Sequence, residues 1–202
     1  TGVSGATFNL NIPTPSTNIT LIAGDKSTVR TGLAAINSNT FTFPGYLSTA
    51  IGANTPSGTI AISKDTPVAG DAAVFQFTLS ATGENMSVTS VKLTKGGTAV
   101  LTTEIDQIAL YEDLGTAGVY DSGTDVAVGS PQPAASTVTF AVSGFTVTTA
   151  TPRNLLAVVH YTTAAVHGHT ISLSVASATD VTGTGVVTGT SKASTGTATS
   201  NT

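Results

Sequence analysis

The chain has 202 residues, 7 Lys and Arg against 11 Asp and Glu, and a formal charge of −4. Charged residues make up only 9%, where soluble domains usually carry roughly 25%, while 40 Thr and 20 Ser supply hydroxyl groups instead. Seven dispersed cations do not form the basic surface that phosphates need, no apolar run approaches the ~18 residues of a membrane span, and zero Cys excludes disulfides, iron–sulfur clusters and thiolate zinc sites.

Glu, Lys, Arg, Gln and Leu are scarce, and Thr and Val are abundant, which favours strands. Residues 1–56 form an irregular N-terminal extension with prolines at 13, 15, 44 and 56. Val3 leads into a stretch in which Ala6, Phe8, Leu10 and Ile12 alternate with polar residues until Pro13. Residues 3–12 therefore read in one of two ways. They pair inside their own sandwich, or they leave it and complete the sheet of a neighbour, with Pro13 and Pro15 favouring an extended exit. A helical turn is expected near Thr31 to Ile36.

From residue 57 to residue 190 the apolar positions repeat with period two, punctuated by turn clusters such as Thr82-Gly83-Glu84-Asn85 and Lys95-Gly96-Gly97. Residues 155–161 are apolar almost without a break, as expected of a central strand buried on both faces. Seven or more short strands predict an all-β, antiparallel sandwich. Its expected core is Phe75, Phe77, Leu79, Val91, Leu93, Ile108, Leu110, Phe140, Leu156, Val158, Ile171 and Leu173. Residues 191–202 form a Thr/Ser/Gly-rich tail, which reads as a linker unless a partner surface orders it.

Six of the eleven carboxylates fall between 104 and 125. Calcium takes six to eight oxygens, several of them from carboxylates, and Asp113, Asp121 and Asp125 could converge with backbone carbonyls to supply them. The competing reading is a solvated acidic turn, because Gly115 and Ala117 bring no side-chain oxygen. No cofactor is required by any motif. Paired carboxylates also occur in glycosidases, but nothing else supports that chemistry. His160, His167 and His169 suit a metal less well than an ordinary polar turn. There is no nucleophile elbow and no phosphate-binding glycine loop before a helix, so no enzyme activity is expected. Asn18 and Asn85 begin glycosylation sequons, Asn85 within a turn.

Several stretches carry a family resemblance: Ile62 to Gly70 at the entry, Phe77 to Asn85 at the first hairpin, Ile108 to Asp113, and Gly118 to Gly123 before Ser136 to Phe140. Over about residues 58–187 the chain resembles the immunoglobulin-like modules of secreted bacterial and archaeal surface-layer, adhesin and extracellular filament proteins. The resemblance implies a structural or adhesive module, not an enzyme, at the cell surface or outside the cell; the composition implies no nucleic-acid partner and no insertion into membrane. A start at Thr1 without a signal-peptide pattern is expected of a processed secreted protein and equally of a trimmed chain. The expected function is a subunit that polymerises with copies of itself, head to tail, by strand addition. The alternative is a monomeric adhesin or carbohydrate-binding module.

Overall fold

Thr- and Val-rich alternation places one apolar row of each strand against its neighbour sheet, and the result is two antiparallel sheets packed face to face. The computed structural model describes residues 45–57 and 69–200 throughout, together with six short N-terminal strands. Those six are β1 (Thr7–Phe8), β2 (Asn11–Ile12), β3 (Leu21–Ala23), β4 (Lys26–Thr28), β5 (Ile36–Asn37) and β6 (Phe41–Thr42). There follow β7 (Tyr46–Ile51), β8 (Gly70–Thr82), β9 (Met86–Gly96), β10 (Ile105–Glu112), β11 (Val126–Ala127), β12 (Gln132–Pro133) and β13 (Thr137–Ala141). The last are β14 (Thr146–Val147), β15 (Arg153–Tyr161), β16 (Ser172–Val175), β17 (Val181–Gly185), β18 (Ser191–Ala193) and β19 (Ala198–Thr199). Among the described residues the only helical element is a single 3-10 turn, Ala178–Asp180.

The first sheet runs β11–β10–β15–β8–β7, with β12 also on β10. The second is built on β9: β16 and β17 line one of its edges and β13 and β14 the other, while β18 and β19 lie outside β17 and β16. The 3-10 turn interrupts what is otherwise one long strand from β16 to β17. Ser177 caps it, and the Asp180 carboxylate returns to the Ser177 amide to close a capping box.

Eleven of the twelve expected core residues are buried, and the twelfth, Ile171, is partly buried against the core. The 155–161 run is the central strand β15, between β10 and β8. Here one detail differs from expectation. Leu155, Ala157 and Val159 face the other sheet, whereas Leu156 and Val158 are buried on the opposite side of the strand. A run that is apolar at every position has no phase to read. In β8 the ladder with β15 skips Val74, a bulge that turns both Val74 and Phe75 into the core.

The sandwich is wider than the 57–190 span read from the sequence. Tyr46–Ile51 pairs with β8 through six register positions, with Leu47 fully buried. The tail is strand, not linker: β18 pairs with β17, β19 pairs with β16, and Ala198 enters the core. Small residues suffice because the ladder uses the backbone. The tail and β7 also meet in a parallel bridge between Ser48 and Thr195, where Thr49 N donates to Thr195 O at 2.7 Å and Thr195 N to Leu47 O at 2.9 Å. The two sheets are thereby joined along one side.

The six N-terminal strands nest as a ribbon, β1 with β6, β2 with β5 and β3 with β4, all antiparallel. Phe8 is the register partner of Phe41, and Ile12 of Ile36. Among the described residues no ladder joins this ribbon to either sheet. Of the expected helical turn, Ile36 lies in β5 and residues 31–35 lie outside the described residues.

Candidate functional site

The acidic segment after β10 is a folded loop in which carboxylates accept hydrogen bonds from backbone amides. Asp125, buried just before β11, takes the amides of Leu114 and Gly115 on Oδ1 at 3.0 and 3.1 Å, and that of Asp121 on Oδ2 at 2.9 Å. Asp121 Oδ2 takes Thr116 N at 2.6 Å. Asp113 Oδ2 takes Gly118 N at 2.8 Å and the Gln76 side-chain amide at 2.5 Å. Gly118 has φ +80°, and a Cβ there would stand 2.1 Å from the Asn54 carbonyl, so only glycine fits. The three carboxylates read as calcium ligands are thus turned toward N–H donors. Among the described residues no three of His, Asp and Glu gather as a metal-binding group.

Glu84 and Glu104 repeat the arrangement at loop junctions, while Asp180 and Glu112 pair with cations. Glu84, in the β8–β9 turn, accepts from Gly45 N at 2.9 Å, Val187 N at 2.8 Å, Thr188 N at 2.9 Å and the Thr188 hydroxyl at 2.6 Å. Burial alone would raise its pKa; the Thr188 hydroxyl and the three amides outweigh burial and bring it down to about 2. Glu104 is buried beside β10 and accepts from Val100 N at 2.5 Å and Val166 N at 2.6 Å, with His169 Nδ1 at 2.8 Å. Again burial pushes upward, and these partners hold the carboxyl below its ordinary range. The turn it secures contains Thr102 at φ +66°, an uncommon conformation for a β-branched residue. Asp180 is buried against Lys92 Nζ at 2.6 Å. Glu112 forms a two-point pair with Arg153, whose guanidinium lies 4.7 Å from the centre of the Phe145 ring and also donates to Thr146 O at 3.1 Å.

The histidines are separated by their partners: His160 faces Asp71 at 2.9 Å, while His169 faces Glu104. An open depression beside His160 is lined by Asp106, Gln107 and Pro133. Tyr111 and Tyr120 pack with tilted rings, their centroids 4.6 Å apart, and burial, with Tyr120 and Asp71 adding to it, pushes the Tyr111 hydroxyl up to about 12. Asn85 is exposed and its side-chain oxygen accepts from Thr149 N at 3.0 Å. Asn18 lies outside the described residues.

Of the residues read as a polymerisation strand, Phe8 and Ile12 lie in β1 and β2, each paired with its own chain. Val3, Ala6 and Leu10 lie outside the described residues. No family model matches the chain, and no curated protein matches it.

Proposed function

We propose that this chain is a structural subunit of an extracellular filament or surface layer, joined to copies of itself by β-strand addition through its N-terminal segment. The observation that carries this reading is the ribbon from Thr7 to Thr42, laddered to itself and, among the described residues, to neither sheet. An isolated two-stranded ribbon is marginal in water, and a further strand or an apolar cover stabilises it. A charge-poor, hydroxyl-rich surface lowers the electrostatic cost of packing like subunits together.

Strand order supports the family resemblance. Lettered in chain order, β7, β8, β9, β10, β15, the β16–β17 strand and the tail become A to G. A, B, E and D then share one sheet and C, F and G the other, the arrangement of a constant-type immunoglobulin sandwich, with β11 to β14 as an insertion. In a host that attaches N-linked glycans, exposed Asn85 is the proposed acceptor.

The pairing of Phe8 and Ile12 within their own chain favours a second reading, a monomeric adhesin that needs no donated strand. Size-exclusion chromatography and electron microscopy of the purified chain separate the two. The subunit reading expects large, denaturant-resistant assemblies; a 20.0 kDa monomer at every concentration supports the adhesin.

A further inference from the structure

Strand addition needs an acceptor edge, and the sandwich has few. On one side the Ser48–Thr195 bridge joins β7 to the tail, and β18 carries Lys192. The outer edge of the first sheet consists of β11 and β12, two residues each, one of them Pro133. The remaining edge is shared by two-residue β14, whose Thr146 carbonyl accepts from Arg153, and β13, Thr-Val-Thr-Phe-Ala, five residues without a charge or a proline.

The hydrogen-bond phase of β13 follows from its two ends. Lys95 N donates to Ser136 O at 2.9 Å and Val142 N to Thr89 O at 3.0 Å, so the even-numbered residues face β9. The N–H and C=O of Thr137 and Thr139 and the N–H of Ala141 point away from the sheet, and all three residues are exposed. The Ala141 carbonyl lies beside Gly129, where an added Cβ would stand 2.8 Å from it. Natural edges are guarded by charge, proline or a covering loop, and β13 has neither charge nor proline along its length.

Unpaired backbone groups on a neutral edge call for an extended neutral strand. The chain carries one: residues 7–24 and 31–63 have no Asp, Glu, Lys or Arg, and a two-stranded ribbon has an unpaired outer edge on each strand. We propose that the free edge of β13 is the acceptor, and that the N-terminal ribbon of a second copy adds to it as a further strand. This rests on the subunit reading above and names the surface that reading lacks.

Thr139→Pro tests it on the full chain, because the Thr139 N–H is outside the β9 ladder and its loss leaves the sheet intact. Thr139→Lys places a guarding charge at the same point. Both variants should remain monomeric, with the melting temperature and circular dichroism of the parent, under conditions in which the parent assembles. In assemblies of the unmodified chain, amide exchange at Thr139 should slow by about tenfold or more relative to the dissociated chain, a measurement independent of either variant. Parent-like assembly of both variants, with no slowing at Thr139, overturns β13 as acceptor and leaves polymerisation standing. A parent chain that never assembles overturns both.

Discussion

At Glu84 a desolvated carboxylate persists as an anion because four donors from two distant segments converge on it. Glu84→Gln keeps one acceptor oxygen and turns an NH₂ group toward an N–H donor. Hydrogen bonds to charged groups contribute about 1.5–3 kcal/mol, so the variant should lose roughly 2–4 kcal/mol in urea unfolding. The pH dependence follows from the same geometry. The folded-state pKa is below the ordinary 4.5, so this stabilisation is complete above 4.5 and disappears as pH falls toward 2. Glu104 shifts in the same direction and deepens the acid limb. Acid titration of unfolding should therefore show a shallower limb for Glu84→Gln than for the parent. Thr102 offers the opposite sign. It is exposed, holds φ +66°, and a left-handed conformation costs an ordinary residue about 1–2 kcal/mol. Thr102→Asn should stabilise by about 0.5–1 kcal/mol, read as a higher denaturation midpoint.

At the scale of elements, the loop between β10 and β11 should not depend on a cation. Its carboxylates already have donors, so EDTA should leave the melting temperature unchanged, whereas Asp125→Ala, which strands three amides, should lower it by several degrees. A chelator-induced drop in melting temperature would restore the calcium reading. This loop also shows where legibility stops. Alternating runs such as Phe75, Phe77 and Leu79 declare a strand and its buried face at once. The acidic cluster declares only composition, because whether a carboxylate meets a cation or an amide depends on local φ and ψ, here on Gly118. Glu84 and Glu104 were invisible for the same reason: a carboxylate in a polar turn looks solvated until distant segments close over it. The tail's composition leaves linker and ordered strand undecided because Ser, Thr, Gly and Ala pair through backbone, and only Ala198 and two serines, Ser194 and Ser200, are buried there.

For the whole molecule, the ribbon and the sandwich should separate experimentally. Deleting residues 1–43 retains Gly45, whose amide Glu84 holds, and removes no strand of either sheet. The remainder should fold as a monomer with a melting temperature within a few degrees of the parent and should fail to assemble. Filaments formed by that truncated chain would exclude the ribbon as connector. The bridge between Ser48 and Thr195 has one more consequence. It sets β7 parallel to the tail segment at Thr195, so that the chain enters at one end of this contact and leaves at the other. Tension applied through the two termini would pull the strands past one another, stretching the hydrogen bonds to Thr195 together and in shear, where an antiparallel hairpin would open one bond at a time. A fibre whose subunits were threaded through such contacts would yield abruptly at high force, and pulling single molecules by their ends would show it.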